Sequence, residues 1–515
     1  MVLNARSHSF AKAIFSFLDN TSYFRLAFMA VLFCDVRYMF PTVYYSLVSV
    51  ISVWALYIFI KQYIIKQKIK KIRYRKIICL FLGCALLSVL LHCTTNLPEN
   101  IFSVYMIGLC LFMFYGIHSE KSNFRIRKEM KRLLDALTLI STFLMVVGLA
   151  ILAVFPNGVL INGFDFGIHE SRFVGVIPNA NVNAFYAVMA LVSCHILWKM
   201  RKAEGTLTKK IKIYYLICAV IDTVSVFLTD SNDTLLFIIT YISFVAFYEV
   251  FKDFSKEKFQ HFTMRFAIVG LCCVLIIAGF VGMRVLTQNG VSLMITFGES
   301  KTQISKGITT DENGSVQIAD DTDRDTADNE SYSFKHQNKN IDSGRFVLWR
   351  QALTLIEHHP IMGIGKANIV EYGTKYVGKL KTTILGNYQY IDFHNGLLTI
   401  LVSFGLVGFN IFMIFAITVA KAILKPIFRF RKQTARDGNV LVLIAAFCTA
   451  YCVYSMFEAA LLVDDSYRVF IFWLMLGFGL SYTCKYLRHN RVFPETVTND
   501  VIPLKTRIQN RLKNR

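Results

Sequence analysis

The feature that most constrains this chain is its series of long apolar runs. Stretches of about 18 to 20 residues, the length a helix needs to cross a hydrocarbon core, recur along it. They lie near 22–36, 41–60, 77–92, 101–117, 133–155, 183–199, 211–229, 233–251, 266–286, 395–420, 440–462 and 467–486. Hydrophobic residues make up 55% of the 515, an apolarity soluble domains rarely reach. Segments of alternating polarity are absent, which speaks against an outer-membrane barrel. The predicted fold class is all-α, a polytopic helical membrane protein with about twelve transmembrane helices. A large outer loop would carry an amphipathic helix. The first run is short and carries Arg25.

The formal net charge of +22 raises the question of nucleic acid, but its placement answers it. Lys and Arg crowd the connectors Lys61–Lys76, Lys121–Arg132, Lys199–Lys212, Lys252–Lys258 and Lys421–Arg436. These alternate with poorly basic connectors at Thr94–Asn100, Pro156–Asn181, Asp230–Asp233 and Val463–Tyr467. Cytoplasmic loops of membrane proteins carry this bias. The expected protein is multi-pass in the bacterial cytoplasmic (inner) membrane, with both termini inside and the segment 287–394 outside. It takes membrane lipid, and no nucleic acid, as a partner. The expected organisation is a membrane bundle of about nine spans over 1–286. The outer loop 287–394, a three-span bundle over 395–486 and a basic tail over 487–515 follow.

The 12 Cys include Cys34, Cys79, Cys84, Cys110, Cys218, Cys272, Cys273, Cys448 and Cys452, all inside predicted spans. They show neither a disulfide framework nor a CxxC zinc spacing, and read as small core residues. No metal site and no cofactor are expected. Phe10, Ile14, Phe15 and Leu18, near Arg6 and Lys12, predict a surface-lying helix over 1–21. No cleavable signal peptide is expected.

The outer loop divides in two. Residues 298–343 are rich in Asp, Asn, Ser, Thr and Lys and are expected to be disordered. The part from 344 to 394 is expected to be helical. Asp342 or Ser343 would cap a helix beginning near Arg345, with an apolar stripe of Phe346, Trp349, Ala352, Leu353 and Ile356. Pro360 ends it, and Gly363 and Gly365 make a turn. This helix should lie along the outer surface with Trp349 at headgroup level.

A cationic side chain and an imidazole, Arg345 and His394, bracket this stretch just outside an apolar span. Such a pair suits an anionic headgroup and a proton transfer. His394 precedes Asn395, the better cap of the helix that follows, and its side chain titrates near neutrality. Arg345 offers a forked guanidinium to a phosphate or pyrophosphate, although an arginine on a surface helix more often faces water or lipid phosphate. Arg350 is the more water-facing of the two. Arg172 is a candidate second cation for a diphosphate. Asn179, Asn181 and Asn183 could simply cap the next span, and His169 and Glu170 show no metal-ligand spacing. Asp222 and Glu458 fall within apolar runs, where carboxylates are costly and usually functional or paired. His358 and His359 read as surface turn residues.

At these residues the chain resembles the O-antigen ligase and polymerase family of multispan enzymes. The resemblance rests on Arg345 and Trp349, His359-Pro360 with Gly363-Ile364-Gly365, His394-Asn395, and Phe404-Gly405-Leu406 with Gly408. Arg172, Gly175, Pro178-Asn179 and Asn181 add to it. Where such proteins carry a Ser-Arg pair, this chain reads Ser231-Asn232, so either another residue such as Arg172 substitutes or the activity is altered. The resemblance implies a glycosyltransferase that moves a glycan from a polyprenyl-diphosphate-linked oligosaccharide on the outer face, without metal or nucleotide. A polysaccharide flippase and chain-length proteins are the implied partners, and surface or capsular polysaccharide the product. Expected catalytic residues are His394, Arg345 and Arg172. Expected substrate-binding residues are Trp349, Arg350, Asn395 and Asn179.

A polymerase role is preferred, on the association of a Lys-, Phe- and Ile-rich composition with low-GC bacteria. Transfer to another acceptor, as a ligase, is the alternative. A secondary transporter or lipid-linked sugar flippase is the reading of another class, and Asp222 and Glu458 are its main support. Should these two carboxylates converge while Arg345 and His394 stand far apart, a carrier would be favoured.

Overall fold

The computed structural model describes residues 14–34, 38–116, 123–161, 163–169, 172–252, 259–302, 309–310, 316–317, 345–378, 383–385, 388–390, 393–462 and 467–489. Most of the expected surface helix at the start, most of 298–343 and the basic tail beyond 489 lie outside these residues.

Each apolar run falls largely on a helix. In chain order these are α1 (Thr21–Cys34), α2 (Pro41–Ile58), α3 (Arg75–Leu91), α4 (Leu97–Gly108), α5 (Asn123–Val154), α6 (Ala180–Ala203), α7 (Lys209–Thr229), α8 (Asn232–Phe251) and α9 (Phe259–Thr302). After the loop helices α10 (Arg345–His358) and α11 (Ile369–Val377) come α12 (Gly396–Arg429), α13 (Arg431–Arg436), α14 (Val440–Tyr454) and α15 (Tyr467–His489). The protein is an all-α polytopic membrane protein. Among the described residues eight helices are long and apolar enough to cross a membrane, with shorter apolar helices at Thr21–Leu32, Val440–Tyr454 and Arg468–Cys484. The expected figure of about twelve is therefore not reached by length alone. The run 440–462 shows why: its helix stops at Tyr454, and residues 455–462 continue as turns and bends that carry Glu458.

Two spans end in π-helical turns, Phe59–Ile65 after α2 and Leu109–Phe114 after α4. A π turn leaves carbonyls off the regular ladder, and buried carbonyls need donors. Tyr63 Oη donates to Phe112 O at 2.6 Å, and Arg25 Nε donates to Met113 O at 2.5 Å. Arg25 also pairs with Glu129 of α5 at 2.5 Å, with the two side chains 1% and 4% exposed. The charge that made the first run look doubtful is thus a neutralised internal strut.

The connector 156–181 contains a small antiparallel sheet, β1 (Val159–Ile161), β2 (Phe164–His169) and β3 (Arg172–Gly175). Nothing in its sequence alternates over enough residues to announce strands. Phe166, Phe173 and Val174 are buried and tie it to the bundle. Arg172, the first residue of β3, is thereby held beside the α7–α8 turn.

Helix α10 differs from its predicted face. Leu348, Gln351, Ala352 and Leu355 are buried, whereas Phe346 and Leu353 are more than half exposed. Ala352 and Leu355 of this set pack with Ile364, Ile369, Phe393 and Val402. Trp349 donates its indole N–H to Phe393 O at 3.0 Å.

Helix α12 breaks at Gly405, whose φ of 63° and ψ of −171° interrupt the ladder. The His-Pro-Ile-Met-Gly-Ile-Gly segment repairs the break. Leu406 N and Val407 N donate to Pro360 O and Ile361 O, while Ile364 N and Gly365 N donate to Val402 O and Ser403 O, at 2.7–3.1 Å. A Cβ at Gly363 would stand 2.5 Å from Val402 O, so only glycine allows this approach. Irregular backbone at a span end persists where protein supplies its hydrogen bonds. The same clasp sets the loop against the start of α12.

Candidate active site

Five helices begin around one cluster: α6 at Ala180, α8 at Asn232, α10 at Arg345, α12 at Gly396 and α15 at Tyr467. Each contributes a polar side chain within its first two residues or just before its start. Helix N-termini carry partial positive charge from unpaired N–H groups, so this gathering favours anions before any side chain is counted.

Asp233 and Glu458 lie at the centre, 5% and 4% exposed. Arg345 Nη2 donates to Asp233 Oδ2 at 2.6 Å, and the guanidinium stands 5.8 Å from the centre of the Phe457 ring. The Asn181 amide reaches Asp233 Oδ2 at 3.3 Å and Glu458 Oε1 at 3.2 Å. Arg172 Nη2 donates to Asn181 Oδ1 at 2.7 Å, and its Nε to Thr229 O at 2.9 Å. Arg468 Nη1 lies 3.2 Å from Glu458 Oε2 and 2.9 Å from Tyr454 Oη. His394 Nδ1 stands 3.8 Å from Glu458 Oε2, an ion-pair distance beyond hydrogen-bond reach.

Burial by itself would push the Glu458 carboxyl up. The charge of the facing His394 imidazole and those of Arg468 and Arg345 outweigh it and hold the group well below the usual carboxylate range. Glu458 is therefore an anion facing the imidazole.

His394 has a φ of 45°, a left-handed backbone that a non-glycine residue adopts at some cost. The strain is held in place from both sides. Trp349 fixes Phe393 O, and Asn395 Oδ1 accepts from Leu397 N and Leu398 N at 3.0 Å to cap α12. The imidazole keeps a quarter of its surface exposed.

The stretches carrying Arg172, Arg345 and His394 thus meet in one cluster. Asn179 and Asn395 do not offer their amide oxygens to it: both serve as helix caps, Asn179 accepting from Val182 N at 3.1 Å. Arg350 is exposed on α10. Asp222 and Glu458 do not converge, because Asp222 accepts from Thr142 Oγ1 at 2.7 Å within the bundle. The test set for a carrier therefore goes against it. His359, expected on a surface turn, packs edge-on against His92 and Tyr372.

Asp233, Arg468 and Arg284 are the cluster members without a motif of their own. Arg284 of α9 forms an ion pair with Asp230 and lies 3.5 Å from Asn232 Oδ1, the position where the resemblance leads one to expect an arginine. One signal is legible: Arg172, Arg284, Arg345 and Arg468 all lie at or near span ends that border the poorly basic connectors, away from the basic ones.

No curated protein matches the chain. A family model described as O-antigen ligase matches residues 217–413, a stretch holding Asp233, Arg284, Arg345 and His394, while Arg172, Asn181, Glu458 and Arg468 flank it. That match likens the middle of this multi-pass membrane protein to the O-antigen ligase family.

Proposed function

We propose that the protein polymerises polyprenyl-diphosphate-linked oligosaccharides on the outer face of the cytoplasmic membrane, with both termini inside. The observation that carries this reading is the meeting of Arg345, Arg172 and His394 around the Asp233–Asn181–Glu458 centre. The acceptor hydroxyl oxygen attacks the anomeric carbon, and its proton passes to the imidazole of His394. The bond from that carbon to the diphosphate oxygen breaks, and the diphosphate leaves on its lipid. Its charge is met by guanidinium groups and helix N-termini. Arg345 is suited to this, since its Nε is buried without a hydrogen-bond partner while Nη2 is held by Asp233. Arg284, beside Asn232, complements Arg172 as the cation that position lacks.

Glu458 orients the imidazole and stabilises the imidazolium, the part a carboxylate plays behind a histidine base. Transfer to a non-repeat acceptor would use the same groups, so the polymerase assignment concerns the acceptor alone. Deleting the chromosomal copy and sizing the surface glycan tests it. Single-repeat products support the polymerase, full-length chains left on the polyprenyl lipid indicate a ligase, and undiminished export refutes both.

A further inference from the structure

We infer that Asn181 is a positioning residue that couples the phosphate-facing arm of the site to its base arm. This rests on the glycan-transfer reading above and adds to it a residue that looks, by position, like one more helix-start asparagine.

The amide is used on both sides. Its oxygen accepts from Arg172 Nη2 at 2.7 Å, and its nitrogen reaches Asp233 Oδ2 at 3.3 Å and Glu458 Oε1 at 3.2 Å. The opposite amide orientation would set the oxygen against two carboxylates and N–H groups against a guanidinium, so chemistry fixes the assignment. A primary amide has two N–H donors, and each has one carboxylate within reach. Asp233 in turn holds Arg345, and Glu458 faces His394. All three groups assigned to the reaction therefore connect through this one side chain.

The cap of α6 is supplied by Asn179, so Asn181 is not needed for that task. Other charged groups around the imidazole and the amide are Arg172 from β3, Asp230 from the α7–α8 turn, Arg284 from α9, Arg345 from α10 and Arg468 from α15.

The test uses the purified full chain. The probe is a lipid extract of cells lacking the chromosomal copy, which supplies donor and acceptor, and polymer formation is followed across a pH series. Asn181→Asp is isosteric and keeps an acceptor for Arg172, but it replaces two donors by a third anion. More negative charge near His394 favours the imidazolium, so the acid limb of the rate moves to higher pH by about one pH unit. Asn181→Ala loses about tenfold in kcat at neutral pH, a hydrogen-bonded positioning contact to charged groups being worth that order.

An unmoved acid limb in Asn181→Asp, with His394→Ala and Arg345→Ala inactive, overturns the coupling and leaves the glycan-transfer reading standing. Full polymer from His394→Ala overturns that reading and the coupling with it. If the Asn181→Asp chain does not insert, Asn181→Ala is combined with Glu458→Gln. A double variant no worse than the weaker single supports a shared path, and multiplicative losses overturn it.

Discussion

Two arginine–carboxylate pairs in this protein have almost the same geometry and opposite characters. Arg25 meets Glu129 at 2.5 Å, and Arg345 meets Asp233 at 2.6 Å. The first is sealed, with side chains 1% and 4% exposed, and Arg25 is further held by a π-turn carbonyl. The second has a guanidinium 17% exposed, with a buried Nε lacking a partner and an acid that also receives an amide. Distance alone does not separate a strut from a site. What separates them is whether donors remain for a guest, and whether a titratable group stands nearby.

Breaking the second pair should cost activity rather than insertion. The largest effect is expected for His394→Ala, which removes the base and should lower polymer formation by about 10²–10⁴-fold, read as glycan length with membrane insertion unchanged. Normal long polymer would remove His394 from the mechanism. Arg345→Ala should lose about 10²–10³-fold, as for removal of one preorganised charge donor, and should weaken binding of undecaprenyl diphosphate. Arg345→Lys should recover only part of this, because an ammonium lacks the fork that spans Asp233 and a phosphate oxygen.

Breaking the first pair should do the reverse. Arg25→Ala leaves Glu129 buried and uncompensated, a loss of about 3–5 kcal/mol of stability. Polymer made per correctly inserted molecule should not change. Arg25→Met with Glu129→Leu should restore most of the stability, since replacing both charges removes the desolvation term. Thermal unfolding in detergent beside the polymerisation assay measures both. An equal loss of specific activity in Arg25→Ala and Arg345→Ala would erase the contrast.

The contrast also explains what the sequence could and could not disclose. Helix positions were legible because apolar run length is a local property. The two ends of the loop, Arg345 and His394, were legible because each borders a run. Glu458 was visible only as a charge in an apolar stretch. That it sits in a turn depends on Tyr454 ending α14, and its neighbours come from α6, α12 and α15. Asn181 and Asn179 are two residues apart and chemically identical. One caps a helix and the other bridges two carboxylates, a difference made by packing at long range. The buried face of α10 departs from the apolar stripe for the same reason: Leu355 is buried and Phe346 exposed because the Gly405 break brings Ile364 and Val402 to the Leu355 side.

Glu458 gives a middle-sized test of the site as an electrostatic unit. Its folded-state proton affinity is depressed, so its charge contributes stability that is present above the ordinary carboxylate value of about 4.3. That contribution is lost only as pH falls further, toward the folded value. Glu458→Gln should lower the melting temperature at neutral pH, and the gap to the parent should close under strong acid. It should also lower the rate and shift its acid limb to lower pH, because the imidazole loses its facing anion. A melting gap independent of pH would place the role of Glu458 in shape rather than charge.

The smallest effect concerns a second histidine cluster, which sharpens the comparison because it titrates without belonging to the site. The ring of His359 lies 5.3 Å from His92, 5.0 Å from Tyr372 and 5.6 Å from Tyr376, joining the end of α10 to α11 and to the end of α3. Its Nε2 is buried without a hydrogen-bond partner. Burial, then the neighbouring His92, His358 and Lys375, press its proton affinity below the ordinary histidine value. The unfolded chain thus binds the proton more readily, and stability is present above about pH 6.5 and lost as pH falls toward the folded value. His359→Phe keeps a ring for the edge-on contacts and cannot titrate. Its melting temperature should fall less than the parent's on mild acidification, by about one or two degrees. An equal fall in both would put the acid sensitivity elsewhere, and the Glu458–His394 pair would be the next place to look.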